Sequence, residues 1–167
     1  MNIPMIIGNL CAFLGTSVDT LSSTRKTAKG MLWLQCLSQV FYGVGTFLLG
    51  GYSGVVQNVV SILRNLIAIK NISHPVLEWG LMAVGAIVSL ACNNLGFWGL
   101  LPVIANCQYT LAVFRFKDNE RALKFSFLIL VALFVVFNGV IYNIVGVVTN
   151  MVVFVTTAIV LFKGRAK

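Results

Sequence analysis

The chain has 167 residues, 59% of them hydrophobic and only 10% charged, with a formal net charge of +8. Soluble domains carry roughly 25% charged residues, and a chain this short has too little interior to hide so much apolar surface from water. A water-soluble globule is excluded and lipid is the natural solvent; the basic residues form short clusters between apolar runs, with no interleaved aromatics, which also excludes nucleic acid as a partner.

A membrane-spanning helix needs about 20 mostly apolar residues. Breaks at charges, Gly and Pro predict seven such segments, at 3–22, 30–49, 52–70, 76–93, 97–115, 122–142 and 145–163. The first opens on MNIPMIIGNLCAFLGTS, which has no Lys or Arg ahead of its apolar run, so it reads as a retained span and not as a signal peptide. It is the most polar of the seven, carrying Asn9 and Asp19. The connections at Gly50-Gly51, 94–96 and 143–144 are very short, which makes their flanking helices antiparallel neighbours, and Gly and Asn suit tight turns there. None of these three carries a Lys or Arg. The other connections and the tail carry Arg25, Lys26 and Lys29, then Lys70 with His74, then Arg115, Lys117, Arg121 and Lys124, then Lys163, Arg165 and Lys167. Eleven of the twelve basic residues thus fall on one side, with Arg64 about two helical turns short of Lys70. The positive-inside rule then places the N-terminus outside and the C-terminus in the cytoplasm of a cell whose sparing loops suggest a bacterial inner membrane.

Little chemistry of the catalytic kind is visible. Cys11, Cys36, Cys92 and Cys107 lie in apolar segments with no CxxC spacing, so neither a metal site nor a disulfide framework is indicated. His74 precedes Pro75 at a helix start and reads as a turn residue, and Trp33, Trp79 and Trp98 sit near span ends as an interfacial belt would have them. With no Ser/His/Asp set and no paired acids near a midplane, the expectation is no enzyme, no catalytic residue, no metal and no cofactor.

Two short phrases organise the rest: GVVQN at 54–58 and GVVTN at 146–150. Each opens the last helix of a group of three, and each is preceded by a short turn and a helix that follows a basic loop. The predicted fold is an all-α membrane bundle of two parallel triple-helix repeats, 1–70 and 97–167, joined by a linker helix within 71–96, a 3+1+3 arrangement. Transporters built from parallel repeats about an axis along the membrane normal bind solute near the midplane, between the repeats.

The first triplet resembles a repeat of the SWEET, SemiSWEET and PQ-loop transporter superfamily, in which a basic loop follows span one, an aromatic-Tyr-Gly phrase ends span two, and span three carries an Asn. KTAKG at 26–30, FYG at 41–43 and VQNVV at 56–60 correspond. The compact size and the run FYGVGTFLLGGYSGVVQNVVSILRN are similar to the bacterial YgjV-like inner-membrane proteins. The resemblance implies that Asn58 and Asn150 face a pocket. The superfamily's Pro-Gln pair is absent from span one, where TSVDTLSST stands, and Pro102 is a partial equivalent in span five. Gln39 occupies the place of a tryptophan that helps line a sugar site, which counts against a sugar.

Helical spacing gives its own reading of the polar residues. Gly54, Asn58, Ser61 and Asn65 lie on one face of span three, and Gly146, Asn150 and Thr157 repeat the spacing in span seven. Span two presents Gln35, Ser38, Gln39 and Tyr42 along one side, span five Asn106 with Tyr109 or Thr110, and span six Asn138 with Tyr142. Asn58, Asn150, Gln39, Tyr42, Ser61, Asn106 and Asn138 are the candidate solute-binding residues, since carboxamides offer donors and acceptors without charge. The alternative for each is helix packing, where such amides and small residues also occur. Asp19, Arg64 and Glu78 are ionisable groups inside spans, expected in the cytoplasmic half, where Asp19 or Glu78 could pair with Arg64 as an inner gate. The functional expectation is a facilitative transporter of a small polar solute, sugar-, nucleoside- or vitamin-like. A substrate-binding module, receptor or scaffold without autonomous transport is the alternative. Expected partners are that solute and the lipid bilayer, with a homo-oligomer left open.

Overall fold

The computed structural model describes residues 3–72, 74–116, 118–140 and 143–163. Lys117, Tyr142, Arg165 and Lys167, which enter the sequence reading, lie outside the described residues. Among the described residues seven α-helices follow one another: α1 Ile3–Ser23, α2 Ala28–Leu48, α3 Tyr52–Ile69, α4 Pro75–Ala91, α5 Leu100–Arg115, α6 Glu120–Val140 and α7 Ile144–Lys163.

Local chemistry sets the bounds. The Thr27 hydroxyl accepts the Gly30 N–H at 3.2 Å to cap α2, the Asn119 side chain accepts from Arg121 and Ala122 at 3.2 and 3.1 Å to cap α6, and Pro75 opens α4. Gly50 leaves α2 with φ +77, and the Gly51 N–H returns to the Thr46 carbonyl at 2.9 Å. Asn71 ends α3 in the same way, with φ 56 and an Ile72 N–H bond to the Ile67 carbonyl. Between α4 and α5 the connection is longer than the expected 94–96 turn. A 3-10 turn at Gly96–Gly99 precedes α5, which begins at Leu100 and not at 97. The Asn93 side chain shapes this corner by accepting the Leu95 N–H and donating to the Gly96 carbonyl, and it lies so close to Gly99 that a Cβ there has no room.

The helices form a ring. α1 packs on α2, α2 on α3, α3 on α5, α5 on α6, α6 on α7, and α7 returns to α1; α4 lies chiefly against α3 and α5, on the outer side. Helix starts recur at a fixed shift, from 28 to 120 for α2 and α6 and from 52 to 144 for α3 and α7, 92 residues in both cases. The side-chain caps of α2 and α6, Thr27 and Asn119, stand at the same shift.

The polarity is inside out relative to a soluble protein. Arg64, Gln35, Asn65 and Thr110 are fully buried, whereas every helix exposes large apolar side chains, among them Phe13, Leu37, Leu63, Ile87, Ile104, Ile129 and Val155. Five helices are long and apolar enough to cross a membrane: α1, α2, α5 with its preceding turn, α6 and α7. The expectation of seven spans meets this criterion only in part. α4 has 17 residues, and α3 carries Ser53, Gln57, Asn58, Ser61, Arg64 and Asn65, all buried in the protein, which lower its hydropathy without exposing polarity to lipid.

An apolar core occupies one end, where Met31, Leu32, Ala68, Ala112, Val113 and Leu123 meet from the starts of α2 and α6 and the ends of α3 and α5. At the other end α1 and α2 approach closely, because a Cβ on Gly45 would lie 2.9 Å from the Gly8 carbonyl oxygen. Gly45→Val should therefore lower stability in detergent by about 1–3 kcal/mol. Gly80→Ala on α4, where nothing lies within 4 Å, should be neutral or raise it; thermal unfolding of both variants checks the contrast.

Candidate functional site

Above that core the ring encloses a cavity of about 150 Å³. At about 10–15 Å³ for each water, it has room for on the order of ten waters. Its lining runs from Gly51, Leu95 and Asn143 in the turns down to Asp19, Gln35 and Arg64. Ten residues of α3 separate Gly54 from Arg64, so the cavity is about 15 Å deep at 1.5 Å per residue.

Its floor is a polar network. Arg64 is 2% exposed. Its guanidinium donates to Asn65 Oδ1 at 3.0 Å, Asn106 Oδ1 at 3.3 Å and Thr110 Oγ1 at 3.4 Å, and lies 4.6 Å from the centre of the Tyr109 ring. Asn106 Oδ1 also accepts from Ser61 at 2.8 Å. The Tyr109 hydroxyl donates to Gln35 Oε1 at 2.9 Å, which leaves the Gln35 Nε2 buried and unpartnered among the described residues. The Ser38 hydroxyl lies within hydrogen-bonding distance of both the Gln35 carbonyl and Asp19 Oδ1. Gly15 is what admits the Tyr42 ring against α1, since a Cβ there would meet it at 2.8 Å; the Tyr42 hydroxyl then reaches Thr16 at 3.2 Å and lies beside Asp19.

Nine of the ten residues singled out from sequence line this cavity: Asn58, Asn150, Gln39, Tyr42, Ser61, Asn106, Asn138, Asp19 and Arg64. Glu78 is buried on α4 and does not line it, because α4 packs outside the ring. Among the described residues no carboxylate oxygen lies within 4.0 Å of Arg64, so the arginine is held by neutral groups and a π face in place of an acid. The twin asparagines differ. Asn58 makes no side-chain hydrogen bond among the described residues, whereas Asn150 Nδ2 is tied to the Gly146 carbonyl of its own helix at 2.8 Å, leaving its oxygen for the cavity. Asn138 bonds Phe134 and Asn143, and Asn143 caps α7 through Gly146.

Residues missed from sequence form the opposite wall: Phe127, Leu130, Val131, Phe134 and Phe137, all on α6. Their types match those that the same helix turns to lipid, such as Phe125, Ile129 and Val136, so composition carries no signal. The shift of 92 does carry one, since it sets Phe127, Val131 and Phe134 opposite Gln35, Gln39 and Tyr42. One wall is polar and its counterpart is apolar and aromatic.

No group of three or more metal-ligating side chains occurs among the described residues. An apolar exterior around a deep cavity that gathers buried polar side chains defines a multi-helix integral membrane protein. Residues 6–167 match the family model Imp-YgjV, described as a bacterial inner membrane protein, and the chain belongs to that family. No curated protein and no solved structure was found to match it.

Tyr109→Phe keeps the ring under Arg64 but strips Gln35 Oε1 of its donor, a buried loss that typically costs about 1–3 kcal/mol. A fall in apparent melting temperature in detergent, larger than that of Tyr52→Phe at an exposed site, is the expected result.

Proposed function

We propose that all seven helices cross the membrane as two triple-helix repeats, α1–α3 and α5–α7, with α4 as the linker, and that the protein moves a small polar solute by alternating access. One observation carries this reading: the cavity is bounded by paired positions of the two triplets, including Gly54 with Gly146 and Asn58 with Asn150. The ring contacts support it, since the junction of α3 with α5 becomes that of α7 with α1 under the same pairing. Rocking of one triplet on the other would expose the site to alternate sides. In the orientation read from the basic clusters, N-terminus outside and C-terminus cytoplasmic, the outward-facing state is the one we assign, because the lining reaches the turns on that side and the Met31–Leu123 core closes the other end. Asp19 and Arg64, at the floor of the cavity beside that core, would act in the inner gate as well as in the site. No catalytic step is assigned.

Orientation has a direct test. Cys92, exposed after α4, should react with a membrane-impermeant maleimide applied from outside, and Cys92→Ser should abolish that label; labelling only after the membrane is opened would reverse the topology. Solute binding is tested by thermal stabilisation of the purified protein across sugars, nucleosides, vitamins and amino acids. A saturating ligand at a hundredfold excess over Kd adds about 2.7 kcal/mol. A hit lost in Asn58→Ala/Asn150→Ala, and taken up by protein-containing liposomes, is the expected outcome. Binding without uptake would favour a substrate-binding module, and silence with a destabilised double variant would make the asparagines packing residues.

A further inference from the structure

Two buried ionisable groups, one acidic and one basic, line the same cavity and do not meet. Asp19 is 5% exposed and Arg64 2% exposed, both line the cavity, and among the described residues neither forms an ion pair within 4.0 Å. Their partners are neutral: hydroxyls for Asp19, amides, a hydroxyl and a ring for Arg64. Charges buried without an opposite charge are strongly disfavoured, and a protein meant only to be stable gains nothing by keeping two of them apart. An independent observation adds a third group. Gln35 is 2% exposed, lines the cavity, and has its oxygen occupied by Tyr109, whose ring lies under Arg64, so that its unpartnered Nε2 is a further donor in the same cavity lining. The Arg64 end thus offers donors, whereas the Asp19 end offers a carboxylate. Across from them stands the aromatic wall of Phe127, Phe134 and Phe137.

We propose that the cavity binds a small zwitterion, with its anionic group held by Arg64 and the Gln35 amide, its ammonium held by Asp19, and an apolar substituent against α6. This inference rests on the reading of the cavity as a solute site. Each charge of the ligand supplies the counter-ion that the protein withholds, which explains why Asp19 and Arg64 are separated in the empty cavity. A neutral sugar would leave both charges unanswered. A cavity with room for on the order of ten waters suits a small molecule once those waters are displaced. The same pair of charges occurs in a free apolar α-amino acid and in a phosphoethanolamine lipid headgroup.

The test is a matched series on the purified wild-type protein, read by thermal unfolding and titration calorimetry. The probes are leucine, 4-methylpentanoate, which lacks the ammonium, 3-methylbutylamine, which lacks the carboxylate, then phosphoethanolamine and glucose. Leucine should bind, and each truncated analogue should bind at least about tenfold more weakly. Asp19→Asn should narrow the gap between leucine and 4-methylpentanoate, and it keeps an acceptor for Ser38. Phosphoethanolamine binding in place of leucine supports the zwitterion and assigns a headgroup as its source. Analogues that bind as well as leucine, or glucose binding where both zwitterions fail, would overturn the inference while leaving a solute site in place. No response to this series or to the wider panel would remove the solute site as well.

Discussion

Arg64 is the group around which the interior is arranged. A buried guanidinium is costly unless its donors are met, and inside a bundle whose outer surface is hydrocarbon the neighbouring helices meet them. Asn65 answers from its own helix, Asn106 and Thr110 from α5, and Tyr109 offers its ring. Tyr109 in turn is fixed by Gln35 of α2, and α2 reaches α1 through Ser38 and Asp19. One cation thus accounts for a chain of contacts through four helices. It also places that chain at the boundary between an apolar core and a polar cavity.

Elsewhere, association depends on small residues and single amides, because apolar side chains gain little by leaving lipid for one another. Gly8 and Gly45 let α1 and α2 touch, and Gly85 of α4 receives Val60 of α3. Gln57 illustrates how little separates a packing amide from a cavity amide. Its Nε2 donates to the Gly85 carbonyl and to Ser89, docking α4, whereas Asn58, one residue and about 100° around the helix, faces the cavity. Two adjacent carboxamides in one helix thus have opposite roles, one joining helices and the other left open.

The shift of 92 residues between the starts of α2 and α6 and of α3 and α7 does not extend to side-chain chemistry throughout. Gly54 and Gly146, or Asn58 and Asn150, are like for like, but Gln35, Gln39 and Tyr42 stand against Phe127, Val131 and Phe134. Walls so dissimilar give the cavity two chemical faces.

The sequence by itself determined the lipid solvent, the places of all seven helices to within a few residues and nine of the cavity's polar residues. These are legible because they are local: apolar run length, turn chemistry, and polar groups conspicuous against an apolar background. Only the tertiary structure decided that α4 lies outside the ring, taking Glu78 with it, that Arg64 is answered by amides and an aromatic ring with Asp19 held apart, and that α6 supplies an aromatic wall. Each of these depends on which face one helix turns to another. In a membrane protein that choice is masked, since Phe, Leu and Val serve equally well against lipid, against a core and against a solute.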